Sequence, residues 1–338
     1  MRDDVPPSAP IQHTNKPRQG RQLEEIGTAG CRWSAMDWSC AYDLVFMLMF
    51  YVFQTGSKQW KLKWEATRPL AYSLGEMYRK LGSSTPQMSS GHVFDEMHDA
   101  FRDLLFAINP INFPRYGEVG ASVSKIMLEL TPELEFCSLI GSVCVNECPG
   151  HTRLTNAART RHTLPTICSR SAWVQIVRDS GIGNAEASSV STQMWVNFFL
   201  QGELNKCRPL FASSMCPACN GDVDARVFYE EPPTVLVFDI DSGSQVKVLP
   251  SAIVTLPCMD GNVELHLRAI VYLADYHFSA QLVGEHNKVW KYDGRLDDGV
   301  PQLDQASSAA YAEGGPTFMA HMSSLGSSQA HLLVYAAQ

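Results

Sequence analysis

From Asp37 to Phe53 the chain reads DWSCAYDLVFMLMFYVF, and its last ten residues, Leu44 to Phe53, are an unbroken apolar run. The preceding residues look non-helical, and Thr55-Gly56-Ser57 ends the pattern. The run therefore predicts a buried central helix that starts at Ser39 or Cys40 and ends at Gln54. Ten apolar residues are about half of the roughly 20 needed to cross a bilayer, which argues against a membrane span. Two further helices are predicted in WEATRPLAYSLGEMYRKLG and HVFDEMHDAFRDLLFAI. In the second, Phe94, Met97, Phe101, Leu104 and Leu105 recur at three- and four-residue intervals. A shorter one, SVSKIMLELTPEL, follows a loop rich in Pro and Gly.

Beyond that point the pattern changes. LEFCSLIGSVCVNEC, RVFYEEPPTVLVFDID, SQVKVL, VELHLRAIVYLAD, HFSAQLV and KVWKYDG are strand-forming runs separated by turn residues. Residues 301–328, poor in large apolar groups and rich in Ser, Ala and Gly, read as a surface insertion. A last apolar strand, AHLLVYAAQ, closes the chain. Helices first and strands afterwards predict an α+β architecture with a mainly antiparallel sheet, without internal repeats.

The length of 338 residues fits one large domain or two modest ones. With 45% apolar and 18% charged residues and a net charge of −8, the composition is that of a globular protein. It argues against a nucleic-acid partner and weakly favours a basic one. Residues 1–28 are polar and Pro-rich and lack the apolar core of a secretory signal, so they read as a disordered tail. The expected setting is intracellular, in cytoplasm or nucleus. In a reducing compartment the ten cysteines read as buried thiols, metal ligands or a nucleophile rather than as a disulfide framework.

Cys40 stands at the predicted helix start. A thiol in a first turn faces unpaired backbone N–H groups and the positive end of the helix dipole, which favour thiolate and can hold an oxyanion. Among the ten histidines, His277 begins a strand in VYLADYHFSAQLV, where sheet on both sides would hold its ring. Asp293 follows sixteen residues later, just after a strand and before a Gly, a separation at which hairpin-linked strands can lay a carboxylate against an imidazole. Each residue alone has an ordinary structural explanation; their joint order points to nucleophile, base and orienting acid.

That order, with its surroundings, resembles the ubiquitin-specific protease family of deubiquitinating cysteine peptidases. CAYDLVFM is similar to the family's cysteine box C-Y-M-N-S-L-L-Q, with Asp43 where the family has Asn. YHFSAQLV…WKYDG is similar to its histidine box, with His277, Phe278 and Ala280 in register. Trp290, Tyr292 and Asp293 follow in order, one residue closer together, and AHLLVY at the end resembles AYMLVY. The matches cover residues 31–338. The family's Asn five residues before the nucleophile is Ala35 here. Asp37 and Ser39 are the side chains near enough in sequence to replace it, with backbone N–H groups the better oxyanion donors.

The resemblance implies a papain-like cysteine peptidase fold with a helical thumb over about 31–132, fingers over about 133–232 and an antiparallel-sheet palm over about 233–338. It implies a Cys40-His277-Asp293 triad that removes ubiquitin or a ubiquitin-like modifier from proteins; the alternative is an inactive scaffold that binds such partners. CPAC, at 216–219, has the spacing at which two thiolates reach one tetrahedral ion. A structural zinc site of Cys144, Cys148, Cys216 and Cys219 is then implied by likeness to the family's zinc-stapled fingers, with His151 or Cys207 able to replace Cys144.

Overall fold

The computed structural model describes residues 30–31, 33–34, 38–83, 91–116, 119–131, 136–144, 146, 148, 153–154, 160–162, 170–181, 188–207, 215–216, 218–229, 232–240, 246–258, 260–326 and 328–337. The tail expected over 1–28 lies outside them. Five helices come first: α1 (Cys40–Thr55), α2 (Lys58–Glu65), α3 (Pro69–Ser83), α4 (Gly91–Ile108) and α5 (Val123–Leu130). After them come β1 (Phe136–Cys144), β2 (Arg153–Leu154), β3 (Thr160–His162), α6 (Arg170–Ser180), β4 (Ser189–Ser191) and α7 (Thr192–Cys207). The strands β5 (Val223–Tyr229), β6 (Val235–Asp239), β7 (Lys247–Leu249), β8 (Ile253–Cys258), β9 (Gly261–Ala274), β10 (His277–Val283) and β11 (Val289–Tyr292) form most of the rest. The chain closes with β12 (Gln302–Leu303), α8 (Gln305–Glu313), α9 (Gly315–Met322), β13 (Ser324–Leu325) and β14 (Ser328–Ala336). This is a mixed α+β fold.

The long strand β9 organises the sheet, pairing antiparallel with β8, β10 and β14. From there the sheet continues through β10 to β11 and β12, and through β14 to β6. Side chains alternate between its two faces, as strand geometry requires. Val235, Val237, Ala269, Val271, Leu332 and Val334 join a core built around α1. Their neighbours Leu236, Phe238, Ile270, Tyr272, Leu333 and Tyr335 join a second core with Trp173 of α6, Trp195 of α7 and Phe318 of α9. A sheet covered on both faces explains why its strands read as continuous apolar runs.

In α1, every residue from Cys40 to Phe53 is buried. A helix apolar all round has no solvent face, so it becomes the spine of its core. Each fully buried Leu or Phe contributes about 1.5–3 kcal/mol. The spine runs against β10, and this fixes the helix start relative to the beginning of that strand.

Three expectations change. WEATRPLAYSLGEMYRKLG is two helices rather than one, because the residue before Pro69 disfavours helical backbone while Pro itself suits a first helical position. The middle of the chain contains two helices, α6 and α7, that the strand-rich reading left out. Residues 301–328 are helical in large part, and Phe318 and Met322, four apart on α9, are buried in the second core instead of decorating a surface insertion.

Candidate active site

Cys40 is the first residue of α1, and Ser39 is its N-cap. The thiol is buried, at 7% exposure. The backbone N–H groups of Ala41, in its own first turn, and of Phe278 of β10 lie near the sulfur and favour thiolate. Phe278 follows His277, so the packing of α1 on β10 brings the thiol to the strand start that carries the histidine. The expected lowering of the thiol pKa does not follow from this setting. Burial pushes it up, and the nearby Asp43 carboxylate adds to that, against opposing effects of the Phe278 and Ala41 N–H groups and of Arg295. The helix start does stabilise thiolate, but desolvation outweighs it.

His277 opens β10 after a two-residue turn in which Asp275 and Tyr276 both have positive φ, 48° and 58°. That geometry matches the right-handed twist of a hairpin. Ala274 of β9 is the cross-strand partner of His277, while β11 pairs only from Ala280 onward. The ring is therefore flanked by strand on one side, not on both. On the other side stands Asp293, one residue past the end of β11, whose Oδ1 is 2.7 Å from His277 Nε2. A carboxylate only accepts, so Nε2 carries the proton and Nδ1 is left as the basic nitrogen. Nδ1 is buried and has no hydrogen-bond partner among the described residues.

Contacts between loops keep this pair in place. Asp293 Oδ1 also accepts from the Arg295 backbone N–H at 2.9 Å. The Arg295 guanidinium lies 4.3 Å from the centre of the Trp33 ring, and that indole meets the His277 ring edge-on at 6.2 Å. Trp33 is held in turn by its N–H to Gly294 O at 3.0 Å, and Tyr292 donates to Cys31 O at 3.0 Å. At Gly30 the backbones come so close that a Cβ would lie 1.6 Å from Gly299 O. Gly30, Cys31 and Trp33 are thereby locked against the loop that carries Asp293.

On the opposite side of the thiol, Ser39 is 1% exposed and donates its hydroxyl to Asp43 Oδ2 at 2.7 Å. A hydroxyl so engaged is not free to serve an oxyanion, which rules out that role for the Ser39 side chain. Ala35 and Asp37 lie outside the described residues. The N–H of Cys40, at the first helical position, has no carbonyl within the helix to bond and is the better-placed donor. Asp43 Oδ1 lies 3.0 Å from His98 Nε2 of α4, without the alignment of a hydrogen bond. His98 was missed as a site residue, although a signal existed: it falls on the apolar stripe of its helix, four residues after Phe94.

A second cluster is made of other cysteines. The sulfurs of Cys148, Cys216 and Cys219 all fall within 4.8 Å of one another, close enough to share one ion. The Cys216–Cys219 turn is tight: Asn220 N donates to Cys216 O at 2.7 Å, and Cys216 N to Gly221 O at 2.9 Å. Gly221 N and Asn146 Nδ2 donate to Cys219 Sγ at 3.3 and 3.5 Å, contacts that suit a metal-bound thiolate. Cys144 ends β1 opposite Val223, and its side chain is outside the described part; His151 is outside it altogether, as is the Cys207 side chain.

No protein-family model matches the chain, and no curated protein does. Among solved structures it is similar to the SAGA DUB module Ubp8/Sgf11/Sus1/Sgf73 bound to monoubiquitin, at TM-score 0.43 and 11% identity over 93% of this chain and 70% of the other. The same module bound to ubiquitin aldehyde matches at TM-score 0.43 and 12% identity over 93% and 70%. A yeast SAGA DUB module with an altered Sgf73 matches at TM-score 0.36 and 13% identity over 93% and 69%. Likeness at these scores is one of general outline and carries no weight for chemistry.

Proposed function

We propose that the protein is a cysteine-type hydrolase of the ubiquitin-specific protease kind, acting on ubiquitin or a ubiquitin-like modifier through Cys40, His277 and Asp293. One observation carries the reading. His277 has Nε2 engaged by Asp293 and an Nδ1 without a partner among the described residues, and it sits next to Phe278, whose N–H lies near the Cys40 sulfur. In the proposed sequence, Nδ1 takes the thiol proton as sulfur attacks the carbonyl carbon at the modifier's C-terminus. The oxyanion is held by backbone N–H groups, the Cys40 N–H among them. Collapse of the intermediate gives a thioester, and the proton passes from Nδ1 to the departing amine. Water, deprotonated at Nδ1, then hydrolyses the thioester and restores the thiol.

The helices over about 31–132 would serve as thumb, 133–232 as fingers and 233–338 as palm, in an intracellular protein of cytoplasm or nucleus. In the fingers Cys148, Cys216 and Cys219 would hold a structural zinc ion, with Cys144, His151 or Cys207 as fourth ligand. Such a closed site would staple strands without touching the chemistry.

The experiment is covalent capture. A ubiquitin carrying a C-terminal vinyl sulfone is expected to form an adduct at Cys40, found by mass spectrometry and absent in Cys40→Ala. Folded protein that neither forms the adduct nor hydrolyses a ubiquitin ester would refute the reading. The second reading, an inactive scaffold, is favoured by the upward push of burial and Asp43 on the thiol pKa. Modifier binding that is unchanged in Cys40→Ala, without turnover, would establish it.

A further inference from the structure

Asp43 is a carboxylate, 1% exposed, in the first turn of an apolar helix and three residues beyond the candidate nucleophile. Burying a carboxylate is costly unless it is paired and hydrogen-bonded. It also works against Cys40, because its charge disfavours the thiolate. What it holds is specific. Asp43 Oδ2 accepts from Ser39 Oγ at 2.7 Å, and Ser39 Oγ accepts from the Ser34 N–H at 2.8 Å. The Ser39 N–H donates back to Ser34 O at 3.4 Å, so one serine bonds both the N–H and the carbonyl of Ser34. Between the two, Trp38 has a positive φ of 45°, a strained backbone that persists only where its surroundings impose it. His98 Nε2, 3.0 Å from Asp43 Oδ1, places a cationisable group beside the carboxylate from α4.

We propose that Asp43 is a positioning residue for acyl transfer: through Ser39 it ties the start of α1 to Ser34, and so sets the direction of the Cys40 N–H toward the acyl oxygen. The role rests on the hydrolase reading given above. Asp43 touches no reacting atom. Its oxygen sets the Ser39 hydroxyl, and the hydroxyl sets the backbone turn.

The test compares wild type with Ser39→Ala, Asp43→Leu and Asp43→Asn, the last of which keeps an acceptor oxygen but not the charge. Three quantities are read: hydrogen exchange at the Ser34 amide, alkylation of Cys40 by iodoacetamide, and turnover of a ubiquitin C-terminal ester. Ser39→Ala and Asp43→Leu should speed Ser34 exchange and lower kcat about 100-fold at little changed KM, the cost of a misplacement near 1 Å. Alkylation, which needs no oxyanion donor, should not fall with them. Asp43→Asn should retain Ser34 protection and most of the turnover, while alkylating faster at neutral pH. Unchanged Ser34 exchange in both disrupting variants would overturn the proposal, as would turnover and alkylation falling together. If Asp43→Leu does not fold, Ser39→Ala decides. If the wild type hydrolyses no ester, the hydrolase reading falls separately, and Ser34 exchange with Cys40 alkylation still decides whether Asp43 holds the tie to Ser34.

Discussion

Replacing Asp293 gives a graded prediction that depends on one oxygen. Oδ1 accepts both from His277 Nε2, at 2.7 Å, and from the Arg295 backbone N–H, at 2.9 Å. In Asp293→Asn the two donors select the same answer. The amide carbonyl must take the Oδ1 position, since an NH₂ there would face the Arg295 N–H. His277 then keeps its proton on Nε2 and its basic Nδ1. The loss is that of a charge: a hydrogen bond to a charged group contributes about 1.5–3 kcal/mol and a neutral one about 0.5–1.5. The difference, about 1–1.5 kcal/mol, corresponds to a five- to tenfold fall in kcat at about 1.4 kcal/mol per decade. Asp293→Ala removes the whole bond and frees the ring, with a fall of about ten- to 150-fold from about 1.5–3 kcal/mol. The assay is steady-state hydrolysis of a fluorogenic ubiquitin C-terminal ester, with folding checked by near-UV circular dichroism. A loss of 1,000-fold or more in Asp293→Asn would mean that the proton had moved to Nδ1, the outcome for a carboxylate whose replacement flips. That result, or an Asp293→Ala within threefold of wild type, would refute the assignment.

Further outcomes follow from the same geometry. Because burial pushes the Cys40 thiol up, its alkylation by iodoacetamide should titrate above an ordinary thiol, with the reactive thiolate appearing as pH rises through that raised value. A titration below that of free cysteine would contradict the desolvated, unionised site. Gly30→Ala places a Cβ against the Gly299 carbonyl, so the backbone at Gly30 and the loop after Asp293 must separate. A kcat loss on the order of tenfold is expected from ester hydrolysis, and unchanged turnover would show that this lock does not serve the site. Metal analysis of purified protein should find about one zinc per chain, reduced in Cys216→Ser together with thermal stability; less than about half an equivalent in wild type would reject a stably held ion.

Several features were legible because they depend on neighbours in the chain. The α1 start at Cys40 and the sheet strands followed from an apolar run and from turn residues, which act over a few positions. The apolar stripe of α4 was readable in the same way. α7 was not, because it has apolar residues on every side and WVNFFL offers no helical period. α8 was hidden for the opposite reason: it is rich in Ala and Ser and its buried residues, Ser307 and Ala310, are small, while the short α9 marks its buried side only by Phe318 and Met322.

By itself, then, the sequence determined the α+β order of elements, the helix start that carries Cys40 and the strand start that carries His277. Only the tertiary structure decided what meets there. The packing of α1 on β10 set the Phe278 N–H near the sulfur, the end of β11 set Asp293 on Nε2 and not Nδ1, and α4 brought His98 beside Asp43. It also reversed the expected direction of the Cys40 pKa. A helix dipole can be read from local sequence, whereas desolvation depends on how much of the rest of the chain closes over the thiol.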